Sequence, residues 1–139
     1  MMKTAIDIAK QTVNDVPVGA VIVKDGKIIS KACNAREEEN DITGHAEILA
    51  IKQANKILNN WRLNDCELYV TLEPCPMCAW AIIQSRIKKI YFGSYNHKYG
   101  AFGSVTDLTK ISDFKPQIYG GIEEFECNKI LKNFWASKR

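Results

Sequence analysis

Four residues of this chain have the types and spacing of a catalytic zinc site: His45, Glu47, Cys75 and Cys78. The two thiols stand at i and i+3, and a helix opened by Pro76 brings both sulfurs near one point. The positive end of that helix favours thiolate over thiol, the form that binds metal. His45, thirty positions before Cys75, offers a neutral imidazole nitrogen as third ligand. Three protein ligands leave the fourth tetrahedral position to water, whose pKa falls from 15.7 to about 7 on catalytic zinc. Hydroxide attack on an aromatic amidine carbon also needs a proton carried to the ring nitrogen and the departing amine. Such work is worth about 10²–10⁴ in rate, and Glu47 is the carboxylate at hand. One obstacle stands in the spacing: on a regular helix, residues i and i+2 point roughly 200° apart, so position alone does not make His45 and Glu47 converge.

A Cys-x-x-Cys pair also serves as a redox couple or as half of a structural zinc knuckle. A redox pair commonly sits early in a fold beside a strand, and a knuckle closes four ligands around the metal. Cys33, Cys66 and Cys127 make no second pair and lie in apolar or mixed stretches, where they read as buried small thiols. The N-terminus lacks a signal peptide's apolar core, so the five cysteines do not read as a disulfide framework and the expected compartment is the cytoplasm. No apolar run approaches the length of about 18 that a membrane span needs. The 139 residues, 46% hydrophobic and 25% charged without repeats, read as one domain, residues 1–139. A net charge of +3 permits an RNA partner without indicating one. The basic clusters Arg86, Lys88, Lys89 and Lys132, Lys138, Arg139 read as solvated faces.

The elements that must position the four residues follow from periodicity. Residues 2–13 read as an amphipathic helix, with Ile6, Ala9 and Val13 on one stripe. The apolar run 18–23 is a strand covered on both faces, Asp25-Gly26 a hairpin turn, and 27–33 the returning strand. After the charged loop 36–41, Thr43 is the expected N-cap of a helix that carries His45 and Glu47 to about Leu58, with Ile48, Ile51 and Leu58 facing the core. Residues 67–72 form the next strand and deliver the cysteines at its C-terminal end, where open α/β sheets place their sites. Helix 76–85 and strand 87–92 follow with no room for a hairpin, which implies a parallel crossover. Loop 93–104 carries Tyr95, His97, Tyr99 and Phe102 with Lys98 between them, parts that suit stacked bases and phosphates, or equally an exposed loop whose aromatics pack locally. A short helix or turn at 107–114, a strand at 117–119 and a last helix from about Glu123 complete the chain. Cys127, Ile130, Leu131, Phe134 and Trp135 make that helix's core face. The expected fold is α/β, a three-layer α-β-α sandwich around a mixed five-stranded sheet.

The order His-x-Glu and then Pro-Cys-x-x-Cys, here His45-Ala-Glu47 and Pro74-Cys-Pro-Met-Cys78, is the general signature of the zinc deaminases. The chain further resembles the bacterial tRNA-specific adenosine deaminases of the cytidine/deoxycytidylate deaminase superfamily. The resemblance runs through Val16-Pro-Val-Gly-Ala20, His45-Ala-Glu-Ile48, Arg62-Leu63 and Leu68-Tyr-Val-Thr-Leu-Glu-Pro-Cys75. It continues in Ser85-Arg-Ile87, Phe92-Gly93, Gly100-Ala101, Gly103-Ser104, Gly121-Ile122, Glu126-Cys127 and Phe134. Only the Gly-Ala-x-Gly-Ser segment and the Ser-Arg-Ile turn point beyond the general signature to the tRNA branch.

That resemblance implies a cytidine deaminase-like fold, one zinc per subunit with a bound water or hydroxide, and conversion of adenosine to inosine at the first anticodon base of a tRNA. It also implies a homodimer that grips the anticodon loop, with Asn34 in the base pocket and Lys98 on the substrate. The chain departs from the family pattern at Asp41-Ile-Thr-Gly44, where Asp-Pro-Thr-Ala is common, at Asn96 and Phe102, and in a short tail that either weakens tRNA affinity or leaves the contact to Lys138 and Arg139. Two rival functions share parts of the pattern. A deaminase of free guanine, cytosine or their nucleosides would close its C-terminal segment over a small ligand. A non-catalytic, zinc-stabilised RNA-binding module would close its metal with a fourth protein ligand and not need Glu47.

Overall fold

The computed structural model describes residues 1–138. Strand β1 (Gly19–Lys24) is buried along almost its whole length, as its unbroken apolar run requires. It turns through Asp25 and Gly26, both at positive φ (52° and 75°), into the antiparallel β2 (Lys27–Cys33). Two left-handed residues in a two-residue loop match the twist of the paired strands. On its other edge β1 pairs antiparallel with β3 (Cys66–Leu72), which lies parallel to β4 (Lys89–Ser94), itself parallel to the short β5 (Gln117–Tyr119). The sheet order is β2-β1-β3-β4-β5. Between β3 and β4 the chain crosses over through α4 (Pro76–Gln84), the parallel connection the sequence required.

Two layers of helix enclose this mixed five-stranded sheet. Helices α3 (Ala46–Leu58) and α4 pack on one face, around Ile22, Leu68, Val70, Ile82, Ile83 and Ile90. Helices α1 (Met2–Ala9) and α5 (Glu124–Ser137) cover the other, where Met2, Ala5, Ile6, Val21, Val23 and Cys127 form a smaller cluster. The expected three-layer sandwich is the observed one. No helix among the described residues is long and apolar enough to cross a membrane.

Helix α1 approaches β1 so closely that Gly19 has no room for a side chain. A Cβ there would lie 2.0 Å from the Ala5 carbonyl oxygen and 2.7 Å from the Ala9 nitrogen, both backbone atoms that cannot rotate away. Gly19→Ala must push α1 off the sheet, and the expected loss of unfolding free energy is about 1–3 kcal/mol, read from urea denaturation.

Three expectations of local structure are corrected. Helix α1 ends at Ala9, the chain tightens through Gln11 N–H to Ile8 O and Thr12 N–H to Ala9 O, and Asn14 turns left-handed at φ 53°. Val13 is therefore exposed rather than part of the apolar stripe. Thr43 does not cap α3. Its N–H and hydroxyl both bond Asp41 Oδ1, and the N-cap position falls to His45. Finally, of α5's apolar face only Cys127 is buried, and Trp135 is 54% exposed. The helix meets the sheet near its start, where Cys127 packs against Gly93 of β4.

Candidate active site

The position of His45 at the N-cap removes the geometric obstacle in the sequence. His45 is extended (φ −80°, ψ 146°), so it does not follow the helical angular step, while Glu47 lies in the first turn of α3. Asn34, at the end of β2, fixes this junction: its Oδ1 accepts the Ala46 N–H at 2.8 Å and its Nδ2 donates to Val16 O at 2.8 Å. A backbone bond from Ala35 N–H to Gly44 O (2.8 Å) ties the same two segments, and a Cβ on Gly44 would fit tightly, 3.0 Å from Asp41 O and 3.1 Å from Ala35 C.

From the opposite side comes the end of β3. Cys75 is the extended N-cap of α4, Pro76 occupies its first turn, and Cys78 follows one turn on, fully buried. His45 Nδ1 lies 3.8 Å from Cys75 Sγ and 3.4 Å from Cys78 Sγ. These three donor atoms all lie within 4.8 Å of one another, and they form the one such His/Cys/Asp/Glu group among the described residues. A tetrahedral zinc with Zn–S of about 2.3 Å and Zn–N of about 2.05 Å sets its S···N edges at about 3.6 Å, between the two observed values. The chemistry of the donor set agrees with the distances. A hydrogen bond from the Cys78 thiol holds Cys75 down at about 4, with help from His45 and against its partial burial. The same bond, together with burial, pushes Cys78 far up. The sulfurs thus share one proton, and a divalent cation is the group that takes its place and accepts both as thiolates.

Glu47 is buried beside them. Burial pushes its carboxyl up to about 7; its own backbone N–H and the His45 ring oppose the rise, and the Cys75 sulfur adds to it. A carboxyl poised there both accepts and returns a proton at neutral pH. His97, on the cavity wall, is outside the donor group, so no fourth protein ligand closes the site among the described residues.

A cavity of about 680 Å³ opens above these groups, and the expected residues Asn34, His45, Glu47, Cys75 and Lys98 all line it. Cys78 lies behind the lining in the core. The Lys98 ammonium sits 5.4 Å from the Tyr99 ring centroid, at a wall formed by residues 95–99. Asn96 and Phe102, the two departures in this loop, both bond Glu73: the Asn96 N–H reaches Oε1 at 3.1 Å and the Phe102 N–H reaches Oε2 at 3.0 Å. The Phe102 side chain is buried.

Several wall residues were not expected, among them Leu131, Trp135 and Arg36. Leu131 and Trp135 come from the α5 face read as core. Arg36 opens a short helix, α2 (Arg36–Glu39), where the charged stretch read as loop. Its guanidinium is held by Asp15 at 2.6 Å, and its backbone N–H also bonds that carboxylate, whose side chain is wholly buried. Burial alone would raise Asp15, but Arg36 and the Val16 N–H outweigh it and hold the carboxyl below its ordinary 3.8. A depressed folded value stabilises the fold at pH above the unfolded 3.8, and that stability is lost as pH falls through the lower folded value. Asp15→Asn should therefore lower unfolding free energy by about 1–3 kcal/mol at neutral pH, with the gap from wild type closing in urea titrations as pH falls below 3.8. The distant pair could not be read from sequence because 21 residues separate the partners.

With this geometry in view, comparison with known proteins gives a consistent result. Residues 1–94 match the model of the cytidine and deoxycytidylate deaminase zinc-binding region. The tRNA-specific adenosine deaminase of Bacillus subtilis (strain 168) is 44% identical over 99% of this chain and 88% of its own length. That of Aquifex aeolicus (strain VF5) is 51% identical over 99% of this chain and 93% of its own. A structure solved in studies of A-to-I editing by tRNA:A34 deaminases at the wobble position superimposes with a TM-score of 0.87 at 40% identity, covering 94% of this chain and 97% of that one. The chain belongs to the zinc-binding cytidine and deoxycytidylate deaminase family, on its tRNA-specific adenosine deaminase branch.

Proposed function

We propose that this chain is a zinc-dependent hydrolase that converts adenosine to inosine at the first anticodon base of a tRNA. The observation that carries the reading is the meeting of His45, Cys75 and Cys78 with the buried Glu47 carboxyl at the floor of an open cavity. A zinc ion held by those three ligands would supply a Lewis acid that activates the attacking water at neutral pH. Glu47 takes one proton from that water and gives it to ring nitrogen N1 as the C6–O bond forms. It then carries the remaining C6 hydroxyl proton to the amine, the exocyclic C6–N bond breaks, ammonia leaves, and the ring keeps its N1 proton and C6 carbonyl. Asn34 retains one amide hydrogen and one lone pair beyond its bonds to Val16 and Ala46, which suits a purine edge.

The open mouth favours a polynucleotide over a free base. Helix α5 contributes Leu131 and Trp135 to the wall, yet Trp135 and Tyr99 stay 54% and 56% exposed, so the C-terminal segment does not seal the cavity. Exposed aromatics beside Lys98 suit a splayed single strand. Lys138 lies 5.2 Å over the Phe134 ring near the end of α5, while Arg139 lies outside the described residues. The relatives named as tRNA-specific adenosine deaminases support the same substrate. On this reading the 139 residues are one deaminase domain, working in the cytoplasm as a homodimer on the anticodon loop.

The test is ammonia release from an arginine tRNA anticodon stem-loop beside free adenosine, cytosine and guanine. Turnover of the RNA alone is expected. Turnover of a free base with inert RNA would replace the tRNA substrate with a small one.

A further inference from the structure

Glu73 is 1% exposed and directly follows β3, two residues before the first metal cysteine, yet none of the chemistry above uses it. Four donors converge on its carboxylate, all from residues 96–104. Oε1 accepts the Asn96 N–H at 3.1 Å and the Ser104 hydroxyl; Oε2 accepts the Phe102 N–H at 3.0 Å and the Ser104 N–H at 3.1 Å. The ion pairs among the described residues are Arg36–Asp15 and Lys88–Asp65, so no cation compensates Glu73. Its partners are the loop's own dipoles.

We propose that Glu73 is the positioning residue that shapes the substrate wall. Its carboxylate serves as a template on which loop 95–104 folds, and through that loop it sets where Lys98 and Tyr99 face the cavity. The links are continuous. Asn96, held by Glu73 through its N–H and through Nδ2 to the Glu73 carbonyl (3.4 Å), accepts the Lys98 and Tyr99 N–H groups on Oδ1 at 3.2 and 3.0 Å. Gly100 presses against the carboxylate so closely that a Cβ would lie 2.6 Å from Glu73 Cδ, and the Ala101 N–H bonds Pro74 O. Glu73 lines the cavity with Asn96, Lys98 and Tyr99, but its carboxylate oxygens are consumed by the loop. Only an acceptor with two oxygens fits four donors, because an amide at this position turns its NH₂ toward two of them.

The inference rests on the proposed RNA substrate, and its test separates the two. In Glu73→Gln the KM for an anticodon stem-loop should rise about tenfold or more, with kcat within about twofold of wild type. Zinc content should match wild type, and amide hydrogen exchange should accelerate over residues 96–104 but not in β3 or α4. Ser104→Ala, which removes one donor and leaves the carboxylate, should give the same pattern with a KM rise of about two- to fivefold. Unchanged KM and unchanged loop exchange in both variants would overturn the proposal, as would loss of zinc in step with the rise in KM. Wild-type inertness on RNA would instead refute the substrate, and the exchange measurement would still decide whether Glu73 holds the loop.

Discussion

Glu47→Gln is expected to slow deamination by about 10²–10⁴-fold while the protein keeps its zinc and its fold. The carboxyl is buried and pushed up to about 7, the range in which it can take a proton and give it back at neutral pH. An amide of the same shape does neither. Because the carboxyl is buried and in no side-chain ion pair with Lys or Arg among the described residues, a neutral side chain removes a desolvation cost, so thermal stability should hold or rise. Single-turnover rates on a stem-loop, with zinc measured on the same samples, read all three quantities. A variant that retains the wild-type rate would exclude Glu47 as the proton carrier.

Removal of the metal should be the second large effect. Chelation should take deamination below detection, and zinc alone should restore it, because no protein group replaces a Lewis acid at this centre. Stability should fall as well. Three ligands drawn from two separate elements, the start of α3 and the start of α4, are tied together by the ion. A ligand held at a thousandfold above its Kd stabilises by about 4 kcal/mol, so the thermal midpoint should drop on chelation and recover on refilling. Cys75→Ala should reproduce both losses without recovery. An apo protein that still deaminates would contradict the zinc mechanism.

The chemistry of this site was more legible in the sequence than its geometry. Cys75 and Cys78 sit on one helical turn behind a proline, and short spacing on one element is what periodicity reports well. His45 and Glu47 were legible as types, but their convergence was not. It depends on His45 standing outside α3, which in turn depends on Asn34, twelve residues away, bonding the Ala46 N–H. The strands were placed within a residue or two because their apolar runs are bounded by strong turns such as Asp25-Gly26. Helix α5 shows the opposite case. Its apolar periodicity is real, but periodicity cannot tell a face that packs on a sheet from one that lines a cavity, and Leu131 and Trp135 do the latter. Glu73 was invisible as a functional group because its partners lie 23 to 31 residues away, in a loop whose shape it creates.

The most direct measurement is position-resolved inosine mapping on a full-length tRNA that carries adenosine at the first anticodon position. Conversion at that base alone, with the other adenosines of the molecule intact, is the result expected of a wobble deaminase. Conversion spread over many adenosines, or none in RNA while a free base turns over, would contradict it.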